Sequence, residues 1–265
     1  MFKFVLLFLT IYSCCLSADT SLSSKIPLNL WQTYKSQSLP MTAIVARRTW
    51  IHLNPEFSCH LFDDADIENY IRERWAPDFL DFFHALPIGA MKADLWRYLI
   101  LASEGGVYSD IDSLCLLPIR EWQFKGYASA PHVLLIDLDS NQSQFCQWTF
   151  AATPGHPAMQ YVCKYVLKQW KKKGIQTNKD GTINVLATTG PALFSEALKS
   201  YIQESKTMGA AKILKNYFKD KKYRKRLNDL GIFFTQKGFF SGVGSENLFW
   251  GSWSTEARRI REAGA

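Results

Sequence analysis

Residues 88–112 constrain the fold more than any other part of the chain. Apolar side chains recur at helical spacing over 88–103, and Gly105 and Gly106 follow shortly after. Glycine suits the left-handed backbone that ends a helix, so the chain can turn back at this point. Residues 107–112 then predict a strand that ends in two aspartates. The block therefore predicts a helix, a tight turn and a strand in close succession.

Strand and helix patterns alternate on both sides of this block. Short apolar runs predict strands at 26–33, 58–62, 133–138 and 145–152, and helical periodicity predicts helices at 42–52, 66–75, 156–173 and 191–202. No segment rich in Gly, Pro or Ser divides the chain, so we predict a single α/β domain. Since 47% of the 265 residues are hydrophobic, the composition excludes a disordered chain and a disulfide-stapled mini-protein.

The first residues have the layout of a targeting signal. Lys3 precedes an apolar run over 4–12, and small residues lead up to Ala18. This order predicts a secretory signal peptide over 1–18, cleaved after Ser17 or Ala18. The run is shorter than the about 20 residues that span a bilayer. A short signal-anchor over the same residues, attaching the protein to a membrane, is the alternative.

Cysteine and charge patterns exclude further classes. Without 1–18 four cysteines remain, in no CxxC or Cys/His cluster, which argues against a zinc site and leaves three disulfide pairings open. The net charge of +7 suggests an anionic partner. The basic run at 212–226 accompanies no recognised nucleic-acid module, so we interpret it as a solvated helix face and expect no nucleic acid as partner. The four cysteines are Cys59, Cys115, Cys146 and Cys163.

The paired aspartates are the strongest chemical signal. Asp110 and Asp112 are two residues apart, so on a strand their side chains point the same way. Carboxylates suit hard cations such as Mg²⁺ and Mn²⁺, which commonly bridge to substrate phosphates. Asp94 and Arg97 would lie beside them if the preceding helix packs antiparallel to the strand; an Asp can accept sugar hydroxyls, and an Arg can bind a hydroxyl or a phosphate oxygen. The alternatives are a solvated turn and an i,i+3 surface pair.

An ordered set of motifs extends this pattern over nearly the whole chain. In type and order these segments resemble glycosyltransferase family 32, with its DXD-containing sugar-binding region, and within it the fungal mannosyltransferases. The segments include Asn54-Pro55, Lys92-Ala93-Asp94, Arg97-Tyr98, Gly105-Gly106-Val107-Tyr108-Ser109-Asp110-Ile111-Asp112, Gln147-Trp148-Thr149, Pro154-Gly155-His156-Pro157, Thr189-Gly190-Pro191 and Gly251-Ser252-Trp253.

The resemblance implies that residues 24–262 form a GT-A-type catalytic domain, a Rossmann-like sandwich that binds a nucleotide sugar. It implies a retaining, metal-dependent transfer of mannose from GDP-mannose to a glycan acceptor. The transfer would be of the α-1,6 kind that builds N-glycan outer chains. The location implied is the secretory pathway, in the Golgi lumen, with secretion as the alternative.

The same resemblance assigns residue roles. It implies that Asp110 and Asp112 hold Mn²⁺ or Mg²⁺, with Asn247 as a third ligand. The implied catalytic residues are Asp94, Arg97 and Asp112. The implied donor-binding residues are Trp31, Asp94, Arg97, Tyr108, Asp110, Ser252 and Trp253, with Trp31 at the position of a base-stacking tryptophan in related toxins.

Two departures from the family pattern keep other functions open. The first strand reads LWQTY at 30–34, where the family often has IHQTW, and Asn247 stands where a His is expected. An asparagine oxygen can still bind a hard metal ion. The alternatives are a hexosyltransferase with another donor or a sphingolipid acceptor, and a secreted carbohydrate-binding protein that has lost catalysis.

Overall fold

A six-stranded sheet forms the centre of the computed structural model. The structure describes residues 25–122, 127, 130–138, 144–205, 221–234, 245–247 and 252–263, with the side chains at 223, 224, 245–247, 252–255 and 257 outside the description. The sheet consists of β1 (Asn29–Thr33), β2 (Ser58–Phe62), β3 (Gly106–Ser109), β5 (Leu134–Ile136), β6 (Thr149–Ala152) and β7 (Ile232–Phe234). A small second sheet pairs β4 (Ser113–Cys115) with β8 (Ser245–Asn247).

The strand order brings separate parts of the sequence to one edge of the sheet. The order is β2-β1-β3-β6-β5-β7, and β6 runs antiparallel to both of its neighbours. The first three strands are parallel, so their carboxyl ends meet at one edge. Because β6 is reversed, its first residue pairs with the last residue of β3: Thr149 lies opposite Ser109. The segments after β1 and β3 and before β6 therefore converge, as ligand-binding loops do in α/β sheets.

Helices cover the sheet, and their ends follow local sequence signals. Asp63 caps one helix with a complete capping box that includes Asp66, and prolines occupy the first turn of three others. The helices are α1 (Met41–Leu53), α2 (Asp64–Arg74), α3 (Pro77–Ala85), α4 (Gly89–Ser103), α5 (Pro157–Lys173), α6 (Val185–Thr188), α7 (Pro191–Glu204), α8 (Lys221–Asp229) and α9 (Ser252–Ala263).

The core lies on both faces of the sheet. Successive strand residues point to opposite faces. Leu30 and Val107 accordingly join one apolar cluster, while Trp31 and Tyr108 join the other. Trp50 of α1 belongs to the first cluster, and residues of α2, α3, α4, α5 and α7 belong to the second. The two-sided burial confirms the predicted α/β sandwich.

Helix α4 is buried on all sides rather than on one face. Every side chain from Asp94 to Ala102 is buried, although the apolar periodicity predicts a single buried face. The alternative interpretation of Asp94 and Arg97 as an exposed i,i+3 surface pair is therefore wrong. Each of these two residues is 4% exposed, so their charges must be compensated inside the protein.

The structure also bears on the predictions about the cysteines and about membrane-spanning segments. Cys59, Cys115, Cys146 and Cys163 are free thiols in the structure. In the described ranges, no helix combines the length and the apolar character that a bilayer crossing needs. The predicted signal segment, 1–18, lies outside these ranges and stays a prediction.

Candidate active site

A cleft of about 870 Å³ opens at the edge of the sheet where β1 and β3 end. Residues from both strand ends, from α4, from the segment before β6 and from α9 line it. The lining side chains used below are Tyr34, Lys35, Asp64, Lys92, Asp94, Arg97, Tyr108, Asp110, Asp112, Gln147, Trp148, Val185, Leu186, Pro191, Glu256 and Arg259.

The turn between α4 and β3 positions the two aspartates. Gly105 and Gly106 have φ values of 65° and 96°, a backbone that glycine adopts without strain. A Cβ on Gly106 would lie 2.6 Å from the Asn29 carbonyl oxygen, so the turn packs directly against β1. After β3 ends, the Asp110 amide donates to the Trp148 carbonyl at 2.7 Å, which ties the paired aspartates to the start of β6. Asp110 and Asp112 both line the cleft, as predicted.

Arg97 is held by groups of the protein itself. Its Nη2 lies 2.7 Å from Oδ1 of Asp110 and 3.4 Å from Oδ1 of Asp94. Its Nη1 donates to the Gln147 carbonyl at 3.0 Å, and its Nε donates to the Ala93 carbonyl at 3.2 Å. The guanidinium also lies over the Tyr108 ring, 4.7 Å from the centroid. The predicted proximity of α4 and the aspartate pair is confirmed, and Arg97 bridges them.

Carboxylates outnumber cations in this group, and the pKa values reflect it. Burial and, after it, the charge of Asp110 raise the pKa of Asp112 to about 7. Burial also raises the pKa of Asp94 to about 6 against the opposing effect of Arg97. For Arg97, burial acts to lower the pKa, but the carboxylates of Asp110 and Asp94 hold it above its ordinary value. The site therefore stores an excess of negative charge beside the cleft.

The donor set fits a divalent cation. Tyr108 donates to Oδ1 of Asp110 at 2.9 Å, the same oxygen that Arg97 contacts. In the described part of the chain, Oδ2 of Asp110 receives no hydrogen bond, so it is available to a cation. Oxygen ligands of this kind suit Mg²⁺ or Mn²⁺. The described residues contain no group of three His, Cys, Asp or Glu side chains arranged for a metal, so further ligands must be of another type or come from elsewhere.

Three predicted site residues lie in elements whose side chains are outside the description. Asn247 pairs with Ser113 in the small sheet. Because Ser113 directly follows Asp112 in the sequence, the backbone of Asn247 lies close to the aspartate pair. Ser252 and Trp253 begin α9. Glu256 and Arg259 of the same helix line the cleft. The ligand-binding roles of Asn247, Ser252 and Trp253 stay predictions.

Trp31 does not lie where the resemblance implied. Its indole is 7% exposed, donates to the Gly105 carbonyl at 2.7 Å and stacks on His60 with ring centroids 4.3 Å apart. Residues of β1 alternate between the faces of the sheet, and this position faces the core. Tyr34, at the end of the strand, is half-buried and lines the cleft instead. The expected base-stacking position of Trp31 is thus corrected to a core position.

The sequence reasoning missed two polar side chains that complete the site. Gln147 donates to Oδ1 of Asp94 at 2.9 Å, and Thr189 donates to Oδ2 at 2.8 Å. Both stand in segments that the resemblance had singled out, QWT and TGP, but nothing in the sequence assigns them a role. Their contacts join residues 53 and 95 positions apart, which a local pattern cannot reveal.

Comparison with known proteins shows what this chain is similar to. Residues 40–128, about a third of the chain, match the family model described as the glycosyltransferase sugar-binding region containing a DXD motif. The structure is similar to the PaToxG glycosyltransferase, with a TM-score of 0.52 and 16% identity over 86% of this chain and 94% of that one. The matched region confirms the predicted family resemblance, and the similar structure confirms the predicted GT-A-like fold.

Several of the curated relatives are named as enzymes that transfer mannose. The chain is 28% identical to the initiation-specific α-1,6-mannosyltransferase of Candida albicans over 68% of this chain and 54% of that protein. It is 29% identical to the mannosyl phosphorylinositol ceramide synthase CSH1 of Saccharomyces cerevisiae over 71% of this chain and 47% of that protein. The chain therefore spans about half the length of the curated relatives it matches.

Proposed function

We propose that this protein is a retaining, metal-dependent mannosyltransferase that moves mannose from GDP-mannose to a glycan acceptor in the secretory pathway. One observation carries the proposal: Asp110 and Asp112 lie beside the buried Asp94–Arg97 pair in one cleft. Metal-bound diphosphate and a hydroxyl-rich sugar need these two kinds of group side by side. The mannosyltransferases among its relatives support mannose as the sugar.

In this proposal, Asp110 and Asp112 hold Mn²⁺ or Mg²⁺ together with Asn247. When bound, such an ion neutralises charge on the diphosphate and favours its departure. Arg97 keeps Asp110 ionised and oriented rather than contacting phosphate, since most of its donors are already engaged. Asp94 accepts a hydroxyl of the donor sugar, and Tyr108 supports Asp110 from the nucleotide side.

The other walls of the cleft bind the rest of the donor. Tyr34 offers an aromatic surface at the end of β1, in place of Trp31, for the nucleotide base. Ser252 and Trp253, at the start of α9, would contact the diphosphate, as the family resemblance implies. Val185, Leu186 and Pro191 form an apolar wall that limits water around the sugar.

We favour attack from the same face as the departing phosphate. Asp94 is bound by Gln147 and Thr189, and Asp64 is paired with Lys92 at 2.7 Å. In this proposal Asp94 accepts a sugar hydroxyl and Asp64 stays paired with Lys92, so neither carboxylate is assigned as a covalent nucleophile. The acceptor hydroxyl would attack the anomeric carbon as the bond to the phosphate oxygen breaks, and its proton would pass to that oxygen.

A glycolipid acceptor is the second candidate. The similarity to an inositol phosphoceramide mannosylating enzyme favours it. In the part of the chain that is described, Lys35 and Arg259 line the cleft without an ion pair, so they could bind an anionic acceptor headgroup. Attachment through residues 1–18 would hold the protein at the membrane that contains such a lipid.

The test is nucleotide release from a panel of GDP- and UDP-sugars, with Mn²⁺, with Mg²⁺ and with a chelator, using mannan oligosaccharide or inositol phosphoceramide vesicles as acceptor. We expect metal-dependent GDP release from GDP-mannose that rises with one acceptor. Nucleotide release from UDP-sugars and not from GDP-sugars would show that the donor is a UDP-sugar instead of GDP-mannose. Binding of sugars without any nucleotide release would instead support a carbohydrate-binding protein.

A further inference from the structure

Three separate segments hold the carboxylate of Asp94. Asp94 belongs to α4, Gln147 precedes β6, and Thr189 lies between α6 and α7. Gln147 Nε2 donates to Oδ1 at 2.9 Å and Thr189 Oγ1 donates to Oδ2 at 2.8 Å. Thr189 is fully buried and Gln147 is 4% exposed. The orientation of this carboxylate is thus set by contacts from two distant parts of the chain.

Tyr98 sets the orientation of the Gln147 amide. The Tyr98 hydroxyl contacts the Gln147 side-chain carbonyl and lies 2.7 Å from the Thr189 backbone carbonyl. Both partners are acceptors, so the phenol is the donor, and its single proton is shared between the two oxygens. Burial raises the pKa of Tyr98 well above its ordinary value, which keeps the hydroxyl protonated. With the amide oxygen turned to Tyr98, the amide nitrogen faces Asp94.

These contacts leave the two oxygens of Asp94 unequal. Oδ1 accepts from Gln147 and lies 3.4 Å from Nη2 of Arg97. Oδ2 accepts only from Thr189 among the residues that the structure describes. A carboxylate oxygen can accept about two hydrogen bonds. Oδ2 therefore keeps one acceptor site, and Asp94 is among the residues that line the cleft.

We propose that Tyr98, Gln147 and Thr189 are positioning residues, which hold Asp94 so that Oδ2 accepts one hydroxyl of the transferred sugar. This inference rests on the proposed function and deepens it, because it assigns sugar recognition to a chain of residues that do not touch the diphosphate. Positioning of this kind acts on the sugar part of the donor alone. Its loss should weaken binding of the nucleotide sugar and leave binding of the nucleotide unchanged.

Thr189 and its neighbour provide a matched pair of variants. Thr189→Val removes the hydroxyl at nearly constant volume, and Thr189→Ser keeps it. Thr188→Val is the control, because among the described residues the buried Thr188 hydroxyl hydrogen-bonds only to backbone groups, the Asn184 carbonyl at 2.7 Å and the Gln176 amide at 3.1 Å. Both valine variants lose one buried hydroxyl, so a stability effect alone would appear in both.

The measurements are the affinities for GDP-mannose and for GDP with Mn²⁺, the donor KM and kcat, and the melting temperature. We expect Thr189→Val to weaken GDP-mannose binding and raise the donor KM by about ten-fold or more, as for one lost hydrogen bond to a charged group. GDP affinity should be unchanged. Thr189→Ser and Thr188→Val should keep the wild-type ratio of the two affinities, and Tyr98→Phe should have a smaller effect in the same direction.

Each outcome decides between the two proposals. A wild-type affinity ratio in Thr189→Val, or an equal change in Thr188→Val, would overturn the positioning role even if the enzyme turns over. Selective loss of GDP-mannose binding in a protein without turnover would support the positioning role and overturn the transferase. A wild-type protein that binds GDP-mannose no better than GDP would overturn the positioning role directly.

Discussion

Two buried polar networks in this protein look alike in their hydrogen bonding and differ in charge. Around Arg97, one guanidinium faces Asp94 and Asp110, with Asp112 close by, and the group borders the cleft. Around Asn54, all groups are neutral and none lines the cleft. The side chain of Asn54 donates to the Trp50 carbonyl at 2.9 Å and accepts from the Ile119 amide at 2.6 Å.

The neutral network ties α1 to the segment that follows it in space. Trp50 Nε1 donates to the Ser113 carbonyl at 2.7 Å, and the Cys115 amide donates to Thr49 Oγ1 at 2.8 Å. Asn54 has no exposed surface. The donors and acceptors of its amide meet protein partners, so this network satisfies buried groups and holds two elements together.

The difference teaches how to separate a structural network from a functional one. The side-chain amide of Asn54 and the backbone groups that it binds are satisfied within the fold. The aspartates around Arg97 are not, because three carboxylates share one guanidinium, and the pKa of Asp112 is raised to about 7 by burial and then by Asp110. Such a surplus of negative charge costs stability. It is relieved when a carboxylate takes up a proton, as the raised pKa of Asp112 shows, or when a cation binds.

The largest expected effect tests the charged network. Asp112→Asn should lower nucleotide release by about a thousand-fold or more, corresponding to about 4 kcal/mol of lost catalysis. The melting temperature should not fall, since the substitution removes a crowded negative charge. Asp78→Asn is the control, because Asp78 forms a half-exposed pair with Lys171 outside the cleft. An unstable Asp112→Asn would place this carboxylate with the structural network.

His156 extends the comparison to a neutral histidine. Its Nδ1 accepts from the Ala158 amide at 3.1 Å and its Nε2 lies 3.2 Å from the Gly231 carbonyl, so the ring is neutral. Burial lowers the pKa to about 4 from 6.5. The unfolded state thus binds the proton more readily, and up to about 3 kcal/mol of stability should be lost as the pH falls from about 7 to about 4.

The measurement is the free energy of unfolding in urea between these pH values. His156→Asn keeps an acceptor at the start of α5 and removes the titration. Its stability should therefore fall less steeply towards acid than that of the wild type. If the free energy of unfolding fell equally with pH in the two proteins, protonation of His156 would not destabilise the folded state, and the predicted pH dependence would be wrong.

Asn54→Ala tests the neutral network from the opposite direction. The substitution leaves the Ile119 amide and the Trp50 carbonyl without this partner in a buried place. The free energy of unfolding should fall by about 2 kcal/mol. Donor KM and kcat, measured well below the melting temperature, should stay at wild-type values. A specific change in donor KM would mean that the two networks are coupled.

Tyr34 gives the smallest expected effect and sharpens the boundary of the charged region. Tyr34→Ala should raise the donor KM by about ten-fold, the loss expected for one aromatic surface against a base. Tyr34→Phe keeps the ring and should stay near wild type. Melting temperatures should differ little, because the side chain is only half-buried. If Trp31→Phe, and not Tyr34→Ala, raised the donor KM selectively, the core assignment of Trp31 would be wrong.

Local patterns predicted much of the fold because they act over a few residues. The strand at 58–62 and the helix that Asp63 caps follow from alternation and capping, and both are found. The helix α3 was not predicted. The β4–β8 pair was not predicted either, because a strand of three residues is too short to show a periodic pattern. The helical pattern of α4 was right in extent but predicted one buried face where all faces are buried.

By itself, the sequence determined the helix and the glycine turn, because a turn that needs positive φ is a property of neighbouring residues. The strand predicted over 107–112 is shorter than expected: β3 ends at Ser109, and Asp110 and Asp112 lie in the segment that turns away after it. The tertiary structure alone decided that Arg97 serves Asp110, that Trp31 belongs to the core and that Gln147 and Thr189 hold Asp94. These contacts depend on the reversed strand β6 and on burial around α4. Their energies arise only when distant segments exclude water together.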